Sequence, residues 1–196
     1  MTIRILAAAL LSLVAGAGHA ATVAIDVRAI DGKPLVGAVV TLESAKPGAA
    51  TVRGQYIVEQ KDIAFQPRIL IVPLGATVGF PNRDKVRHHV YSFSKPKKFD
   101  LKLYGREEAR TVTFDKPGVV ALGCNIHDSM SGFVYVTATP YAALTDGTGR
   151  VSIAGVPAGA ARVTVWHPSI RSPGGTASQP ITVTPGGFST TFALHR

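Results

Sequence analysis

The chain of 196 residues contains one cysteine, one tryptophan and two methionines. A lone cysteine excludes an intrachain disulfide framework, and without a Cys-x-x-Cys-His run covalent haem attachment is excluded too. Acidic residues are scarce, 12 against 21 lysines and arginines, for a formal net charge of +9. Charged residues of either sign are few, whereas 20 glycines and 13 prolines punctuate the chain. Helical periodicity is hard to find, and beyond the first twenty residues no apolar run approaches the length of a membrane-spanning helix. No motif that reads nucleic acid is present, so the basic balance points instead to an acidic protein partner or an anionic membrane surface.

What is there begins with a targeting pattern. Arg4 precedes the apolar run Ile5 to Val14, and Gly18-His19-Ala20 offers small residues where a signal peptidase reads. Cleavage after Ala20 is expected, giving an exported, periplasmic protein with no transmembrane segment. Loss of Arg4 leaves a formal charge of +8. An oxidising compartment favours paired cysteines, yet Cys124 has no partner in its own chain. Such a thiol is buried and inert, bridged to another molecule, or bound to a metal, and His127 three residues on favours the metal.

The stretch Cys124-Asn125-Ile126-His127-Asp128-Ser129-Met130 sets a thiolate, an imidazole and a thioether within seven residues. Adjacent histidines His88 and His89 lie upstream, and on a strand only one of them can point inward. Two imidazoles, a thiolate and a weak axial thioether are the ligand set of an electron-transfer copper site. Zinc has no use for the thioether. His167 and His195 have no partner at ligand spacing and read as packed or solvated residues.

Strand patterns fill the rest. Thr22 to Arg28, Gly37 to Glu43, Arg68 to Val72, Thr77 to Phe80 and His88 to Phe93 are expected strands. So are Arg110 to Phe114, Gly118 to Gly123, Gly132 to Thr137, Val151 to Ile153, Arg162 to Trp166, Ile181 to Thr184 and Phe188 to Leu194. Shorter Ile63-Ala64-Phe65 also reads as strand, and Gly155 to Gly159 as a turn. The cysteine motif then falls in a loop between two strands, where a sheet fixes both ends of a site. The chain is expected to be all-β.

Val78-Gly79-Phe80-Pro81-Asn82-Arg83-Asp84 with His88-His89-Val90, and Gly118 to Val136 with its Cys-x-x-His-x-x-Met loop, resemble the two ligand regions of the cupredoxins. Among these blue copper proteins the compact loop is most similar to that of amicyanins, the methylamine-utilisation type. The resemblance implies a Greek-key β-sandwich over residues 55–138 and one copper ion cycling between Cu(I) and Cu(II). It selects His88, six residues after Asn82, as the ligand beside Cys124, His127 and axial Met130, and leaves His89 exposed. It also implies that Asn82 donates a hydrogen bond toward the Cys124 sulfur; the residue's place after Pro81 reads equally well as a simple turn residue. Asp128 stands where the family often has proline, which makes the use of the His127 edge for electron exit less secure. Asp31-Gly32-Lys33-Pro34-Leu35 and the later Thr145 to Val165 region resemble a carboxypeptidase-regulatory-like β-sandwich. That places a second small sandwich over 21–54 and 139–196, after a signal peptide at 1–20.

The resemblance implies a single-electron shuttle, with a dehydrogenase as donor and a c-type cytochrome as acceptor; four ligands would leave no open position for substrate, so no enzymatic activity is expected. Copper binding and delivery without a shuttle role is the alternative. Lys95, Lys97, Lys98 and Lys102 form either a solvated loop or a docking patch for an acidic partner.

Overall fold

Alternation along the first strand sets the plan. In Ala20–Ala29 every second residue, Ala21, Val23, Ile25, Val27 and Ala29, is buried, the mark of a strand with one face on a core. The computed structural model describes residues 20–46, 48–108 and 110–196. Of the expected targeting segment only Ala20 is among them, where it opens this strand. No helix of the described residues is long and apolar enough to cross a membrane.

Ala20–Ala29 pairs antiparallel with Arg150–Pro157 and parallel with Phe188–Leu194. Facing this sheet is a four-stranded one in the order Ala142–Leu144, Val39–Ser44, Gly159–Trp166, Thr176–Val183. Val23, Ile25, Val40, Leu42, Val163, Val165, Ile181 and Phe192 fill the space between them. Fully burying such side chains contributes about 1.5–3 kcal/mol each. Segments from the two ends of the chain therefore build one sandwich.

The intervening strands build another. A five-stranded sheet runs in the order Ile69–Pro73, Ser131–Thr137, Gly118–Cys124, His88–Ser92, Phe99–Tyr104. A three-stranded sheet, Thr111–Thr113, Thr77–Gly79, Tyr56–Ile57, accompanies it, with a hairpin of Glu59–Lys61 and Ala64–Gln66. Phe80, Val90, Tyr104, Phe114, Val120, Leu122 and Val134 form its core. A polar network is buried there. The Gln60 amide donates to the Phe80 carbonyl (2.9 Å) and the Tyr104 hydroxyl (2.7 Å), and that hydroxyl donates to the same carbonyl (2.6 Å). A third cluster, Val39, Ile69 and Trp166 with Phe133 and Tyr135, joins the two groups of sheets.

Several elements differ from the sequence reading: Tyr56–Ile57, Glu59–Lys61 and Ala142–Leu144 are strands it did not expect, and Ile63 lies in a turn rather than a strand. Phe99–Tyr104 is a strand where only a lysine run had been apparent; Lys102 takes φ 58° and the pairing slips between His89 and Tyr91. That bulge breaks the alternation on which strand recognition relies. The second strand starts at Val39 rather than Gly37, which sits at φ 71° in a turn. Arg150–Pro157 runs through most of the expected Gly155–Gly159 turn.

Candidate metal centre

Antiparallel pairing brings the two remote segments together. Cys124 closes Gly118–Cys124 and pairs with Val90, while His88 opens its own strand two residues before Val90. A strand repeats every two residues, so His88 and Val90 share a face, and His88 and Cys124 are both buried. The loop after Cys124 returns to the antiparallel neighbour Ser131–Thr137, with Gly123 opposite Ser131. Inside it the Met130 N–H donates to the His127 carbonyl at 3.0 Å, curling the loop back on itself.

The result is a cluster of donors. Cys124 Sγ lies 3.9 Å from His88 Nδ1 and 3.6 Å from His127 Nδ1, and the two imidazole centroids are 5.0 Å apart. The three ligand atoms all fall within 4.8 Å of one another. Taking zinc bonds as a gauge, about 2.1 Å to nitrogen and about 2.3 Å to sulfur, angles of roughly 110–120° put N and S about 3.6–3.8 Å apart. These donors fit a metal ion as they stand. Cys124 is a free thiol.

Burial divides the group. His88, Cys124 and Met130 are 0%, 4% and 1% exposed, and Met130 shares a core cluster with Cys124. His127 is half-buried between exposed Ile126 and Asp128, so it is the donor that reaches the surface. His89 lies on the other side of its strand and bonds the Asp100 carboxylate rather than joining the cluster. His167 is also elsewhere, its Nδ1 on the Ser169 hydroxyl.

Two neighbours brace His88. Asp84 Oδ2 lies 2.8 Å from His88 Nε2, on the side of the ring away from the thiol. Burial alone would raise the Asp84 pKa, but hydrogen bonds from the Ile63 amide, His88 and the Asp62 amide outweigh it and hold the carboxyl below its ordinary value. An ionised Asp84 accepts a hydrogen bond from Nε2–H, which leaves Nδ1 with its lone pair toward Cys124. The reading of the sequence missed Asp84; its four-residue spacing from His88 was the available signal.

The expectation for Asn82 is corrected. Its amide donates to the carbonyls of Val86 (2.8 Å) and Tyr104 (3.2 Å), so both N–H groups are engaged away from the sulfur. Its Oδ1 accepts the Asp84 N–H at 2.8 Å. Asn82 thus ties its loop to Phe99–Tyr104, because a short amide after Pro81 satisfies nearby backbone first. In the lysine cluster, Lys97 pairs with Asp115 at 3.0 Å and Lys102 with Asp100 at 2.6 Å, which leaves less free positive charge than the sequence suggests.

No family model matches the chain, and no curated protein matches it. Several solved structures are similar to part of it. A Cu-containing nitrite reductase from Thermus scotoductus SA-01 matches with TM-score 0.41 and 29% identity over 47% of this chain. This chain spans only 25% of that reductase. A purple cupredoxin from Nitrosopumilus maritimus matches with TM-score 0.38 and 22% identity, covering 42% of this chain and all of its own. A reduced Cu(I) form of an amicyanin variant matches with TM-score 0.40 and 26% identity, covering 50% of this chain and 98% of its own.

Proposed function

We propose that this chain is a type 1 copper protein that carries single electrons between redox partners in the periplasm. The observation that carries the reading is the placement of one thiol 3.9 Å and 3.6 Å from two imidazole Nδ1 atoms. That donor chemistry suits a copper ion, which His88, His127 and Cys124 would hold with the thioether of buried Met130 as a further weak donor. Copper bound there supplies a one-electron couple between Cu(I) and Cu(II).

The chain's own residues do the rest. His88 and Cys124, buried in a sheet, hold their positions whichever oxidation state is present, which keeps reorganisation small. Half-buried His127 offers an imidazole edge through which a partner couples to the site. Three strong donors and a thioether leave no open position for substrate, which supports a carrier rather than an enzyme. The resemblance to amicyanins supplies the expected partners, a dehydrogenase as donor and a c-type cytochrome as acceptor, and the pattern at Arg4 to Ala20 supplies the compartment.

The test is a visible absorption and electron paramagnetic resonance spectrum of the protein loaded with Cu(II). An intense thiolate-to-copper band with narrow copper hyperfine splitting is expected. A pale, ordinary copper spectrum with ready release of the ion would instead indicate copper delivery.

A further inference from the structure

The hairpin of Glu59–Lys61 and Ala64–Gln66 turns through two residues, Asp62 at φ 56° and Ile63 at φ 55°. Two successive left-handed residues make the type I′ turn that suits a twisted hairpin, but such turns are dominated by Gly, Asn and Asp. Aspartate tolerates this conformation. Isoleucine, branched at Cβ, does so rarely, so something outside the turn must hold Ile63 there.

Asp84 does. Successive backbone N–H groups in such turns converge to form a concave anion site, and the Asp84 carboxylate fills it. The Asp62 N–H donates to Oδ1 at 2.8 Å and the Ile63 N–H to Oδ2 at 3.0 Å. The same Oδ2 meets His88 Nε2 at 2.8 Å. The Asp84 N–H is itself tied to Asn82 Oδ1. A surface turn, with Ile63 47% exposed, is thereby bolted through one carboxylate to an imidazole that is fully buried.

We infer that the Asp62–Ile63 turn and Asp84 together form a positioning device for His88, fixing its ring with Nε2–H on Asp84 and bare Nδ1 toward Cys124. Its consequence for a bound ion rests on the copper reading; its effect on the imidazole does not. The turn contributes only backbone N–H groups, so its role is invisible in any alignment of side chains.

The experiment follows the His88 ring by nitrogen-detected NMR in the metal-free protein, with copper affinity measured separately. Wild type is expected to hold His88 as a single Nε2–H tautomer. Asp84→Asn, which keeps the size but loses the charge, and Ile63→Pro, which removes one turn N–H and forbids its φ, should each give a mixture of tautomers. Ile63→Gly, which keeps the N–H and relieves the strain, should retain the wild-type tautomer. Cu(I) affinity should fall on the order of 10–100-fold in the first two variants, the usual effect of losing a partner behind a metal ligand. A His88 signal unchanged in Asp84→Asn and in Ile63→Pro would overturn the inference. If the tautomers respond but wild type binds no copper, the positioning device stands and the copper reading falls.

Discussion

The indole of Trp166 stands edge-on to the ring of Phe133, with centroids 5.2 Å apart and planes at 67°. Phe133 belongs to the sheet that carries Cys124, whereas Trp166 ends a strand of the sandwich built from the chain ends. Tyr135 adds a second aromatic contact to the same indole at 5.8 Å. Edge-to-face pairs of this kind add about 0.5–1.5 kcal/mol beyond the area they bury. Trp166 is 3% exposed and is the chain's single tryptophan, so its fluorescence reports on this junction alone. Trp166→Ala should cost about 3–5 kcal/mol in urea unfolding, the usual range for emptying a buried tryptophan site. A loss below 1 kcal/mol would mean that the aromatic junction does not hold the two sandwiches together.

Cys124→Ala should abolish any intense visible band of the Cu(II) protein, because that band needs thiolate sulfur. A coloured variant would refute thiolate ligation. Met130→Leu conserves volume in a buried position, so the fold should lose less than about 1.5 kcal/mol while copper is kept. Its reduction potential should rise, since a weak axial donor has gone. Voltammetry giving the wild-type potential would remove Met130 from the site.

Burial pushes the Tyr104 hydroxyl up to about 12. Its folded-state pKa thus exceeds the unfolded value near 10, so the protonated form is the one the fold favours. The associated stability is fully present below pH 10 and is lost as pH rises from about 10 through about 12. Phenolate absorbance should show a late step near pH 12 that is missing in Tyr104→Phe. If the late step survives in that variant, another group is responsible.

Gly149 sits at φ +80°, and a Cβ there would lie 2.6 Å from the Val27 carbonyl oxygen and 2.9 Å from Pro34 Cβ. Gly149→Ala should therefore destabilise the terminal sandwich by roughly 1–3 kcal/mol, read from thermal unfolding. The copper spectrum should be unchanged, because neither contact touches the sheets that carry His88 and Cys124. An altered spectrum would show that the two sandwiches are coupled more tightly than their shared aromatic cluster implies.

The cluster of thiol and imidazoles was legible because its chemistry is nearly contiguous: Cys124 and His127 fall within one hairpin connection, and strand alternation puts walls on either side. The inward choice of His88 over His89 followed from the pleat together with the family pattern. Asp84 and Asn82 were harder. What each does depends on backbone groups brought near by folding, such as the Ile63 amide 21 residues away, and no side-chain pattern records the position of an amide. Phe99–Tyr104 hid behind a bulge that shifts its alternation by one. The pairing of the first strand with the last, Val23 opposite Phe188, leaves no local trace, since periodicity states which face is buried and says nothing about the neighbour.

That pairing has a mechanical side. Ala20–Ala29 and Phe188–Leu194 run parallel, in register from Val23↔Phe188 to Ala29↔Leu194. Tension entering before the first strand and leaving after the last pulls the two along each other, so the rungs between them share the load in shear. Everything from residue 30 to residue 187 then hangs outside the line of force while those rungs hold. A partner or surface tugging on the two termini would strain this clasp first, and the imidazoles and thiol of the inner sandwich would feel none of it.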